Sequence, residues 1–191
     1  MNAEHSLKVK GSGGFTLVEL LTVITIIVVL AGLTAGTMGF VSRKAASNKA
    51  EAQMHLLQNA LEQYHSDTGV YPEWKDEIER DADGLILYYV LFGDGVGADG
   101  IRDTADDGAI DGIPDEGAKV FLSQMDPNMN SMQLLQGPKG KVPTKIVDPF
   151  GNVWHYISGA EYQSTMMNPD FDLFSYGADG KKDTDDDINN W

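Results

Sequence analysis

The chain has no cysteine among its 191 residues. That excludes a disulfide framework, a thiol nucleophile and any cysteine-ligated metal site. Positive charge is scarce as well, with 14 Lys and Arg against 29 Asp and Glu and a formal net charge of −15. A chain so acidic has no basic stripe for phosphates, so nucleic acid is excluded as a partner and cations are favoured. The sequence also lacks HExxH and nucleophile-elbow motifs, and nothing in it points to an enzyme.

What the chain does have is a long apolar run. Leu20 to Phe40 are twenty-one residues without a charge, and Glu19 stands directly before them. The apolar stretch 15–40 is longer than a secretory signal core and suits a membrane-spanning helix. Its small residues, Gly13 and Gly14, precede it, which reverses the order of a secretory signal. Lys8 and Lys10 lie before the span and Arg43, Lys44 and Lys49 after it, so charge counting alone leaves the orientation open. Residues 41–191 provide one small core.

Ala50, Met54, Leu57, Leu61 and Tyr64 recur at spacings of three and four, which predicts that the helix continues to about His65 and ends at Asp67-Thr68-Gly69. Leu85–Phe92 is apolar throughout, and periodicity does not separate helix from strand there. Asp148-Pro149-Phe150-Gly151 is a turn signal, with a strand expected over Val153–Ile157 and its antiparallel partner over Phe171–Tyr176. His55 and His65 are read as surface or interface residues, and His155 lies in a strand. Trp74, Trp154, Tyr156 and Trp191 are read as core or capping aromatics.

Gly14-Phe15-Thr16-Leu17-Val18-Glu19 ahead of a long apolar helix resembles the class III signal of type IV pilins and type II secretion pseudopilins. Ala60–Tyr64 with Asp67, Gly69, Tyr71 and Pro72, then Asp148–Asn152, Asp172–Gly180 and a terminal Asp-Ile-x-x-Trp, are similar to the major pseudopilin family of type II secretion. The likeness covers 11–72 and 145–191 and is poor over 73–144. It implies an α+β, pilin-like fold: a long N-terminal transmembrane helix packed on a small antiparallel sheet, with a C-terminal Asp-rich calcium loop over 177–190. It further implies a leader, 1–14, cut between Gly14 and Phe15 by a prepilin peptidase, N-methylation of Phe15, a cytoplasmic N-terminus and a periplasmic domain, 41–191.

The implied role is that of a homopolymer, a short filament that drives export, with minor pseudopilins and an inner-membrane assembly platform as partners. Glu19 is expected to meet the terminal amine of a neighbouring subunit, so that an unassembled chain carries an uncompensated charge. Many relatives have proline where this chain has Gly36; with Gly32 and Gly39 nearby, the glycines serve either local melting or close helix packing. A type IV pilin of an adhesive or motility fibre shares 11–65, and a membrane-tethered calcium-binding module that never polymerises is the other rival.

The resemblance places calcium on Asp179, Asp186 and Asp187 with the backbone carbonyl of Tyr176. Within the poorly matching region, Gly97–Asp107 aligns without gaps to Gly177–Asp187 and is identical at eight of eleven positions. Asp99, Asp103, Asp106 and Asp107 therefore form a second candidate site inside the Gly/Asp-rich insertion 93–117, where a cation loop and a disordered, solvated insertion both remain open. Neither loop has the EF-hand spacing.

Overall fold

The structure is a computed structural model that describes residues 14–73, 84–102, 104–129, 131–136 and 143–191. The leader up to Gly13, Trp74 and Asp103 lie outside the described residues. The chain divides into two units, one ending at Ser42 and the other running from Arg43 to Trp191.

Helix α1 (Leu17–Thr68) contains 52 residues. In the first unit its side chains from Leu17 to Thr34 are all exposed, and the helix is long and apolar enough to cross a membrane. In the second unit one face is buried: Ala50, Gln53, Met54, Leu57, Ala60, Leu61 and Tyr64, the three-and-four spacing that marks an amphipathic helix. The helix ends at Thr68, inside the expected Asp67-Thr68-Gly69 stop. Thr68 Oγ1 donates to the Tyr64 carbonyl, and Gly69, at φ +80°, donates its N–H to His65 O at 2.8 Å. A left-handed residue closing the last turn suits glycine.

Helix α2 (Leu85–Phe92) settles the ambiguous apolar segment. It has no polar face because Ile86 to Phe92 are all buried, and a helix wrapped on every side is apolar on every side. Glycines in the left-handed region bound it, Gly84 at φ +73° and Gly93 at φ +83°. A Cβ at Gly84 would also lie 2.4 Å from the Trp154 carbonyl oxygen, so this entry point requires glycine twice over.

Two antiparallel sheets complete the second unit. Strands β1 (Leu134–Gln136) and β2 (Pro143–Ile146) pair with a register shift after Leu135. Strands β3 (His155–Ser158), β4 (Phe171–Ser175) and β5 (Ile188–Asn189) form the second sheet in that order. The expected strand at 153–157 is thus displaced: Val153 makes only an isolated bridge to Val147, across the turn. The expected antiparallel pairing is present, with His155 opposite Phe174 and Tyr156 opposite Leu173.

Asp148, fully buried, organises the turn between the sheets. Its Oδ1 accepts the N–H groups of Phe150 and Asn152 at 2.8 and 2.9 Å, and its Oδ2 accepts Ser175 Oγ–H at 2.6 Å. One core joins α1, α2, β2 and the three-stranded sheet, with Trp154 and Tyr156 inside it. Tyr156 and Ser158 both donate hydroxyl hydrogens to the Pro72 carbonyl, fixing the chain just beyond α1.

Replacing Leu57, which is fully buried, by alanine should lower unfolding free energy by about 2–5 kcal/mol. The same change at half-exposed Leu56 should cost under about 1 kcal/mol. Denaturant titration of the full chain in detergent reads both, and equal losses would contradict the burial pattern.

Candidate functional site

At the start of α1, Gly14 has open space around it and Phe15 is 86% exposed, so the bond between them is accessible. Thr16 and Glu19 form a reciprocal cap. The Thr16 N–H and Oγ1–H both donate to Glu19 Oε2 at 2.8 Å, and the Glu19 N–H returns to Thr16 Oγ1 at 3.3 Å. This is the S/T-x-x-E capping box, in which two orphan amides of the first turn are satisfied together. It gives Glu19 partners within its own chain. The carboxylate has hydrogen-bond donors of its own, although no counter-charge, and the T-x-x-E spacing before the apolar run was the signal for it.

The two aspartate loops, eighty positions apart, have the same hydrogen-bond plan. Asp179 Oδ1 accepts the Lys181 N–H at 2.8 Å, and Asp99 Oδ1 accepts the Ile101 N–H at 2.8 Å. Asp186 Oδ2 accepts the Asp179 N–H at 2.8 Å, as Asp106 Oδ2 accepts those of Ala98 and Asp99 at 2.9 and 3.3 Å. The Thr184 hydroxyl stands 3.3, 2.8 and 3.3 Å from Oδ1 of Asp179, Asp186 and Asp187. Thr104 stands 3.5, 2.7 and 3.0 Å from Oδ1 of Asp99, Asp106 and Asp107. Gly177 and Gly97 take φ +58° and +60°, and a Cβ at either would strike Asp186 O at 2.0 Å or Asp106 Oδ2 at 2.5 Å.

Each threonine hydroxyl has one hydrogen, yet three carboxylates converge on it. Their oxygens are otherwise turned to backbone amides, Asp187 Oδ2 to those of Asp183 and Thr184 at 2.8 and 3.3 Å. Among the described residues, no group of three or more His, Asp or Glu side chains is arranged to hold a metal. The Tyr176 carbonyl accepts the Gly180 N–H at 3.2 Å. The donor set is nonetheless all oxygen, the chemistry that calcium takes. Asn152, which donates its side-chain amide to Gly177 O, ties the C-terminal loop to the Asp148 turn.

Carboxylates bind the backbone of the insertion at several of its described residues. Asp115 Oδ2 accepts the N–H groups of Val96, Gly97 and Gly108 at 2.8, 2.9 and 3.2 Å. Asp94, fully buried, accepts from Asp111 N–H, Gly112 N–H and the Tyr88 hydroxyl. Thr104, Thr184 and Asp94 were not singled out from the sequence. The paired threonines stand at the same place in both copies of the repeat and could have been.

Burial raises the Asp94 pKa above the ordinary carboxylate value, whereas the threonine hydroxyl bonds hold those of Asp106 and Asp186 below it.

A family model for the type II secretion system protein G matches residues 122–191. A prokaryotic N-terminal methylation motif matches 9–35. The type II secretion system core protein G of Aeromonas hydrophila is 28% identical over 178 residues, 93% of this chain and 91% of that one. That of Dickeya chrysanthemi is 29% identical over 180 residues, covering 93% and 85%. A crystal structure of the major pseudopilin from the type 2 secretion system of enterohaemorrhagic Escherichia coli covers 81% of this chain and 94% of its own, at 17% identity and a TM-score of 0.38, too loose a superposition to bear on the fold.

The methylation motif falls at the start of one long apolar helix, ahead of an α+β domain. Over residues 122–191 the chain is similar to the type II secretion system protein G family, and over 93% of its length to core protein G of that system. Among the described residues, one helix near the N-terminus is long and apolar enough to cross a membrane, as a subunit anchored by its first helix requires. The 97–107 loop lies outside both matched ranges.

Asp186 binds its proton less readily in the fold than in the unfolded chain. Its contribution to loop stability is therefore present above the ordinary carboxylate pKa and is lost as pH falls through the lower, folded value. Thr184→Val should raise the Asp186 pKa and shift loop opening to higher pH, leaving Asp106 unchanged. Carboxyl NMR titration reads both, and an unmoved Asp186 would show that the hydroxyl is not the cause.

Proposed function

We propose that this chain is the structural subunit of a short periplasmic filament that drives protein export in type II secretion, polymerising through α1 and stabilised by calcium. The observation that carries the reading is the presence of the methylation motif and the protein G match on one chain. Cleavage between Gly14 and Phe15 creates an α-amine, and N-methylation of Phe15 leaves it basic. In the filament that amine would pair with Glu19 of a neighbour, replacing the Thr16 cap with a counter-charge. Two opposite charges in apolar surroundings are tolerable together and costly apart. The cap lowers the cost for the waiting subunit, and the amine supplies what the cap lacks. The partners are then further copies of the chain, the prepilin peptidase, minor pseudopilins and the inner-membrane assembly platform.

Calcium would be held by Asp179, Asp186 and Asp187 with the Tyr176 carbonyl, and at the second loop by Asp99, Asp106 and Asp107 with Asp103. It supplies a divalent charge to carboxylates that otherwise share one hydroxyl hydrogen. Support for the second site is the shared hydrogen-bond plan of the loops.

Glu19→Leu should still be processed to a chain beginning at Phe15, insert in the membrane, and form no filaments. Normal filaments from this variant, seen by electron microscopy, would refute pairing through Glu19.

Titration calorimetry on the full chain in detergent should give two calcium ions, falling to one in Asp99→Ala/Asp106→Ala. At a dissociation constant of roughly 10⁻⁴–10⁻³ M, millimolar calcium adds about 0.4–1.4 kcal/mol per site. A single ion in the parent chain would leave 97–107 without a metal.

A further inference from the structure

The outer face of the β3-β4-β5 sheet bears side chains that neither the core nor the loops employ. The register puts His155, Phe174 and Asn189 in one row across the strands. His155 stacks on Phe174 with ring centres 4.8 Å apart, and Phe174 meets Trp191 edge-on at 5.6 Å. Phe174 and Trp191, with Tyr176 and Met167, line a cup of about 140 Å³, and Asp183 and Asp187 line it too. Trp191 is 51% exposed and Met167 71% exposed, a large apolar exposure for so acidic a chain. Aromatic faces attract cations, and two carboxylates beside them select the same kind of guest. Lys182 lines the same cup.

We propose that this cup receives the basic stretch Arg43, Lys44 and Lys49 of a second copy of this chain, subunit to subunit in the filament. The inference rests on the pseudopilus reading. Three of the chain's 14 basic residues fall within these seven positions. All three are exposed, and among the described residues none takes part in an ion pair. They follow the apolar span directly. A neighbouring copy, at net charge −15, offers carboxylates to complement them, and in a homopolymer it is always adjacent.

The absence of cysteine makes the test direct. Full-length Arg43→Cys/Met167→Cys, assembled and treated with a short bismaleimide, should give a covalent ladder of this chain, whereas Arg43→Cys/Ile113→Cys should not. Arg43→Glu/Lys44→Glu should lower filament yield roughly three- to tenfold, and adding Met167→Lys should restore it. Equal ladders from both cysteine pairs, adducts to a different protein, or no rescue would overturn the docking while leaving the pseudopilus reading intact. An unsubstituted chain that forms no filaments would overturn both.

Discussion

Carboxylate oxygens accepting backbone N–H groups hold many of the irregular segments among the described residues. Asp148 does so at the turn between the sheets, and Asp172, within β4, takes the amides of Met167 and Asn168 ahead of that strand. Asp94 and Asp115 do so in the insertion, and Asp106 and Asp186 in the two loops. Glu19 does it at the first turn of α1. Hydrogen bonds to an ionised acceptor are about twice as strong as neutral ones, and an amide that finds such a partner needs no sheet or helix. An acidic composition thereby becomes a means of ordering glycine-rich chain that has few apolar side chains to bury.

The same contact explains how the insertion is attached. Its start is fixed where Gly93 closes α2, and its return is fixed by Asp115 N–H on Gly93 O at 2.7 Å and by Phe121 N–H on Leu91 O at 2.8 Å. The loop between is suspended from a wholly buried helix. The C-terminal copy is suspended instead from the sheet, through β5 and through Asn152. One local plan is mounted on two different supports, so the plan is a property of the eleven residues and not of their surroundings.

That locality decides what the sequence makes legible. The lower half of α1 follows from side-chain spacing, and the β3-β4 pair from a turn signal between apolar segments. The duplicated loops follow from repeated aspartates and glycines. Strands β1, β2 and β5 have three, four and two residues, too few to express alternation, and β5 lies within an acidic tail. Helix α2 is apolar on every side, so its period is silent, and only the glycines at its ends mark it. The Thr16 cap was hidden for another reason: Glu19 already had a role by resemblance, and one residue was read for one purpose. The aromatic cup escaped because it joins β3, β4 and the C-terminus, which only the pairing register brings together.

Polymerisation turns these local devices into a collective constraint. A single subunit at −15 disperses its field into solvent, but copies stacked along a filament share counter-ions, and each added subunit is repelled by those before it. The two loops place nine aspartates in twenty-two residues, 97–107 and 177–187, so the repulsion is concentrated there. Salt screens exposed charges beyond about 8–10 Å and does little for carboxylates in direct contact. What remains must be met by cations at the carboxylates themselves, either divalent ions or basic side chains of a neighbour. The basic residues just after the span and the threonine-centred loops are alternative answers to that one electrostatic demand, and a filament of this chain has use for both.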